Sequence, residues 1–157
     1  MTIIRVAVPL LLLSAFAAGC GTDPAISQAR STLVSATRVV TDLDTSASLG
    51  PAAFGPEVAA HVAEPARASH WEGLRGALVA ASQRVDEASV ALDLWEEGDS
   101  GSFAWTTVVP CLAQALAEIR AHLEALGVTT TVALDEALAL TSSSGARCGS
   151  RRPPAER

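Results

Sequence analysis

The chain has 157 residues, 49% hydrophobic and only 4% aromatic, with a formal net charge of −6. That length holds one domain around one core. An Ala- and Leu-rich composition with scattered β-branched residues favours helices over a sandwich or barrel, and the acidity excludes a nucleic-acid partner held by phosphate neutralisation.

In chain order, Met1 to Arg5 is a short segment with one positive charge, and Val6 to Ala18 is an apolar run broken only by Pro9 and Ser14. This is the anatomy of a signal peptide. The run of about 13 residues is too short for a bilayer core, which takes roughly 20. It ends in Ala17-Ala18-Gly19-Cys20, which resembles the bacterial lipobox, although Ala17 stands where Leu is usual. The resemblance covers residues 1–20 alone. It implies that Cys20 becomes the first residue of a mature lipoprotein, carrying a diacylglyceryl thioether and a further palmitate-type acyl chain on its amine. Two or more chains anchor a protein stably where one does not. Gly21 follows the Cys, and in a two-membrane cell the lack of Asp there implies the periplasmic face of the outer membrane. The competing reading is ordinary cleavage after Ala15-Phe16-Ala17, which leaves Cys20 a free thiol on a soluble secreted protein. The expected division is a signal peptide at 1–19, a lipidated anchor segment at 20–23, a helical domain at 24–148 and a basic tail at 149–157. Loss of Arg5 with the signal peptide leaves the mature charge at −7.

Asp23-Pro24 predicts a helix start, an N-cap followed by Pro at the first helical position. Ile26, Ala29, Leu33, Ala36, Val40, Leu43 and Ala47 then recur at spacings of three and four, along one helical stripe. Gly50-Pro51, Gly55-Pro56 and Pro65 interrupt the pattern between Ser48 and Ala68 and predict a crossover, with a short helix over Glu57 to Ala63. Ser69-His70-Trp71-Glu72 has capping-box form and predicts the second long helix. Its stripe is Trp71, Leu74, Leu78, Ala81, Val85, Ala88, Leu92 and Trp95, stopped by Gly98. A third helix carries Trp105, Val109, Leu112, Leu116, Ile119, Leu123 and Leu126 and stops at Gly127. Pro110 predicts either a kink near Thr106 or a main helix that begins only around Val109, with Ser102 available as a cap. A shorter fourth helix is expected from Thr131 to Thr141.

Stripes of this kind bury their apolar faces against one another. The expected fold is all-α, a four-helix bundle with a Pro/Gly-rich crossover after the first helix and the last three helices antiparallel. A homo-oligomeric coiled coil is the alternative. Folding the last two helices back at about Val128 brings the region of Ala146 beside Cys111, so Cys111 and Cys148 are expected to form a disulfide, for which export supplies the oxidising compartment. Arg147, Arg151, Arg152 and Arg157 make the end of the chain basic and solvated.

Chemistry is scarce. Gly98-Asp99-Ser100-Gly101 has the letters found around the nucleophile of chymotrypsin-like proteases, but it joins two helical patterns instead of lying in a double β-barrel, so no catalytic role is assigned to Ser100. His122-Leu123-Glu124 has the H-x-E of zinc deaminases without their P-C-x-x-C, and His61 with Glu64 supplies too few ligands to close a metal site. No metal and no cofactor beyond the lipid on Cys20 is expected. With no Lys in the chain, a P-loop or Schiff-base mechanism is also excluded. Trp95 and Trp105 flank the Gly98 to Ser102 loop and should meet at one end of the bundle, with Trp71 toward the other. Together with Pro110 they mark the one place where a small apolar ligand would enter. The expectation is a non-catalytic, membrane-anchored envelope lipoprotein that contacts another envelope protein or a second copy of itself. The alternatives are a carrier or sensor for a small apolar ligand between helices, and a phage- or plasmid-borne lysis or exclusion lipoprotein.

Overall fold

The computed structural model describes residues 23–98, 101–142 and 147–149. They form five α-helices: α1 (Pro24–Ser48), α2 (Pro56–Val62), α3 (Pro65–Glu96), α4 (Gly101–Ala125) and α5 (Val132–Ser142), with a 3₁₀ turn at Pro51–Phe54 between α1 and α2. There is no strand among the described residues. The fold is all-α, and the four longer helices pack as a bundle in which α3 lies between α1 and α4, and α5 closes the ring against α4 and α1.

Proline starts this fold more than it stops it. Pro24, Pro51, Pro56 and Pro65 each stand at the beginning of a helix or 3₁₀ turn, where the missing N–H has no intrahelical partner to lose and φ is already helical. At the first of them the Asp23 carboxylate accepts a 2.9 Å hydrogen bond from the Ala25 amide, satisfying one of the free donors of the first turn. The same rule corrects one expected boundary. α3 begins at Pro65, four residues before the capping-box sequence, and the Ser69 hydroxyl donates back to the Ala66 carbonyl at 3.3 Å instead of capping.

α4 is also longer than expected. It begins at Gly101, ahead of Ser102, and runs through Pro110 without ending. The reading in which the main helix starts at Val109 is therefore corrected. The ring of Pro110 is buried within the bundle, so neighbouring helices hold the segment helical despite the missing backbone bond. Its far end has the hydrogen bonds of a Schellman motif: the Val128 amide donates to the Leu123 carbonyl at 2.9 Å and the Gly127 amide to the Glu124 carbonyl at 3.0 Å. Gly127 has φ +80° there, a conformation in which a Cβ is strained. The chain reverses, and Thr131 caps α5 by accepting from the Leu134 amide at 3.3 Å.

The long helices alternate in direction. Arg30, near the start of α1, pairs with Glu96 at the end of α3 at 2.6 Å, and Asp44, Ala47 and Ser48 at the end of α1 share a groove with Glu72, Arg75 and Gly76 near the start of α3. Arg120, late in α4, reaches Asp135, early in α5, at 3.3 Å. The Pro/Gly-rich connection after α1 accordingly stays at one end of the bundle, where the 3₁₀ turn and α2 form a cap. There Phe54 meets Trp71 edge-on, with ring centroids 5.8 Å apart.

The core has two parts. The larger gathers Leu74, Leu78, Leu112, Leu116, Ile119, Leu123, Leu126 and Leu134 with Val39, Val40 and Val58. The smaller gathers Ala29, Ala88, Ala91, Leu92, Trp105 and Val109, with Ile26, Leu33, Trp95 and Ala104 against it. Two threonines are buried, and each satisfies its hydroxyl on its own helix: Thr32 on the Gln28 carbonyl at 3.0 Å and Thr141 on the Ala137 carbonyl at 2.8 Å.

Candidate functional site

The end of the bundle that holds the start of α1, the end of α3 and the start of α4 is built around the smaller core. Ile26 and Ala29 from α1 meet Trp95 from α3 and Ala104 and Trp105 from α4. This close approach depends on Gly101. A Cβ built on that residue would fall 2.2 Å from the Trp95 amide nitrogen and 2.6 Å from the Ala91 carbonyl oxygen. Backbone therefore lies on backbone at the first turn of α4. Gly98, with φ +89°, supplies the reversal just before it. The Arg30–Glu96 pair bridges α1 to α3 above the apolar cluster; its side chains are partly exposed, so it orients the helices more than it stabilises them.

Trp95 and Trp105 belong to one apolar cluster, as their placement about the loop implied. A shallow groove of about 230 Å³ opens between α1, α4 and α5, lined by Ala25, Gln28, Ala29, Thr32, Trp105, Thr106, Val109 and Leu140. Trp105 lines it, Trp95 packs against the same apolar cluster, and Pro110 is buried beside Val109. The Thr106 and Thr107 hydroxyls both donate to the Phe103 carbonyl at 2.9 Å, one turn ahead of Pro110.

Cys111 and Cys148 are joined by a disulfide, with their Cα atoms 4.5 Å apart. Cys111 lies at the seam of the two core parts, between Val109 of one and Leu112 of the other. The bond ties the segment after α5 to the middle of α4.

At the opposite end the three histidines of the chain come near one another's helices. His70 on α3 and His122 on α4 face each other with ring centroids 5.8 Å apart. The His122 ring lies over Gly73, where a Cβ would meet its Cε1 at 2.3 Å. His61 Nδ1 lies 3.4 Å from the Leu126 carbonyl oxygen, which can only accept. Glycine at position 73 thus makes room for the imidazole, a packing relation that helical periodicity does not reveal. No group of three or more His, Cys, Asp or Glu that could hold a metal ion occurs among the described residues. Arg120 lies beside this end; its hydrogen bond to Glu124, and then the nearby charge of Asp135, raise its pKa above the ordinary arginine value. It stays charged at any working pH in either case.

Cys20, Asp99, Ser100 and the tail beyond Gly149 lie outside the described residues. Among the described residues no helix is long and apolar enough to cross a membrane. No protein-family model, curated protein or solved structure matches the chain.

Proposed function

We propose that the chain is a membrane-tethered, non-catalytic helical module of the bacterial cell envelope, held by lipid on Cys20 and acting through contact with another envelope protein or a second copy of itself. The observation that carries the reading is the place of Cys20, at the end of a lipobox-like run and only three residues ahead of Asp23, the N-cap of α1. The Cys111–Cys148 bond supports the same reading, because structural disulfides belong to oxidising compartments outside the cytosol. A bundle of this kind offers rigid helix faces, and Val34, Val79, Val90 and Val132 are apolar residues exposed on them.

Intact-mass analysis of the protein expressed in a bacterium with a lipoprotein pathway tests the tether. A mass that begins at Cys20 and includes a diacylglyceryl adduct is expected, with a gain of two hydrogens on reduction. A mature chain that begins at Ala18 without lipid replaces the tethered module with a soluble secreted protein. Crosslinking in intact cells then tests for the partner.

The groove beside Trp105 favours a second reading, a carrier of a small apolar ligand. Its volume of about 230 Å³ falls short of the roughly 300 to 1,000 Å³ of ordinary ligand pockets, which places this reading behind the first. Titration of tryptophan fluorescence with a panel of apolar ligands tests it; saturable quenching that is lost on Val109→Trp, which fills the groove, would promote it.

A further inference from the structure

We propose that the end of the bundle bearing the α3–α4 turn rests on the bilayer, with Phe103 entering the interface of a zwitterionic phospholipid surface and Leu94 lying beside it. This rests on the lipid-tether reading, and it goes beyond that reading by assigning the orientation of the domain and the residue that touches lipid.

The geometry starts from the tether. Cys20 and Pro24 are four residues apart, and at about 3.5 Å per extended residue the start of α1 stays within about 14 Å of the lipidated residue. Whatever shares that end of the bundle is therefore brought close to the membrane. The Arg30–Glu96 pair and the packing of Ile26 and Ala29 with Trp95, Ala104 and Trp105 show that this is the α3–α4 turn. The cap formed by the 3₁₀ turn and α2 lies at the far end.

Phe103 stands out at the near end. Among the described residues the other aromatic rings, Phe54, Trp71, Trp95 and Trp105, are buried or half-buried, whereas Phe103 is 75% exposed. Its neighbours Ala104 and Trp105 turn into the cluster, which leaves Phe103 on the outer side of the first turn of α4. Side chains tilt toward the N-terminus of their helix, and for α4 that direction is toward the tip and the membrane. Leu94, in the last turns of α3, is 39% exposed, and Pro24 and Ala25 at the start of α1 are exposed as well. Single exposed apolar residues are ordinary on a protein surface. Here the exposed ring coincides with the one end that the tether holds against lipid, and Phe, with Trp and Leu, is a residue that segments lying in the bilayer interface bury there.

Charge selects the kind of lipid. Asp23, Asp93, Glu96 and Glu97 are exposed at this end, and Arg30 pairs with Glu96. A surface rich in anionic headgroups repels this arrangement, whereas a zwitterionic surface admits Phe103 without that penalty.

The test uses the lipidated full-length protein, its mass verified, in vesicles of phosphatidylethanolamine and phosphatidylcholine whose acyl chains carry bromine near the headgroup. Phe103→Trp places a fluorophore at an exposed position, where the fold, checked by circular dichroism, tolerates it. Its emission is expected to be quenched about twofold or more beyond that of the native tryptophans, and phosphatidylglycerol in the vesicles is expected to reduce that excess. Quenching no greater than in the parent protein, with the lipid present by mass, overturns the proposal and leaves the tether standing. A mass without lipid removes both.

Discussion

The two halves of the bundle are held together by different means. Around Leu112, Leu116, Ile119 and Leu123, branched side chains from α4 meet leucines of α3 and α5 and valines of α1, and the space between helices is filled by volume. Around Trp105, Ala29, Ala88 and Ala91 lie with Leu92 and Val109, and the first residue of α4 is a glycine pressed on the α3 backbone, so that close approach adds to filled volume there. A core filled by volume is sensitive to truncation, because removed atoms leave a cavity. One held by close approach is sensitive to enlargement, because added atoms have nowhere to go.

The largest expected effect lies at the seam between the halves. Closure of a loop spanning 37 residues stabilises the folded chain by about 4 kcal/mol on the chain-entropy account. Cys148→Ser and reduction of the parent protein should each lower the unfolding free energy by that amount in urea titrations; an unchanged midpoint on reduction would remove the bond from the account of stability. Next comes Leu116→Ala in the volume-filled half. Leu116 is fully buried, and its truncation should cost about 3 kcal/mol, read from the same titration. Gly101→Ala probes the other half. The added methyl meets backbone atoms of Trp95 and Ala91, which cannot rotate away, and a loss of about 2 kcal/mol is expected. If Gly101→Ala proves neutral, the contrast between the halves fails.

Gly76→Ala is the counterpart and should go the other way. Nothing lies within 4 Å of a Cβ at that position on α3, so the helix gains the propensity of alanine, about 1 kcal/mol, and the midpoint rises. The smallest effect is expected from Arg30→Ala. The Arg30–Glu96 pair is partly exposed, and its loss should cost under about 1 kcal/mol and vanish at high salt.

The stripes of α1, α3 and α4 were legible because spacings of three and four repeat over many turns, and every stripe residue from Trp71 to Trp95 and from Trp105 to Leu126 is buried or half-buried. The disulfide was legible for a related reason: helix lengths and a Gly-stopped turn set which positions return to the same level. The start of α3 was not, because Pro65 and Ser69 both carry start signals and only the packed chain chooses between them. Ala77, Ala91 and Ala115 were also missed, being buried positions outside the principal stripes. In α3 a second face is buried because the helix packs between α1 and α4. Nothing in the sequence marks Thr32 and Thr141 as buried; their hydroxyls bond within their own helices, which lets the core accept them. The contacts of Gly73 and Gly101 follow from which helices cross and where, information that no single segment carries. Of the candidate site, the meeting of Trp95 and Trp105 could be anticipated from their symmetry about a loop. The exposure of Phe103 could not, since an aromatic residue two positions before Trp105 gives no sign of which one turns inward.

The bond between Cys111 and Cys148 has a consequence for how the molecule comes apart. It encloses the second half of α4 and the whole of α5 in a covalent ring. A protease that cuts once inside that ring opens the polypeptide without releasing a fragment. Such a nicked protein migrates as one band in electrophoresis until reductant is added, and then as two. Wherever proteases reach it, a molecule cut there keeps its pieces within reach of one another and retains the means to reassemble.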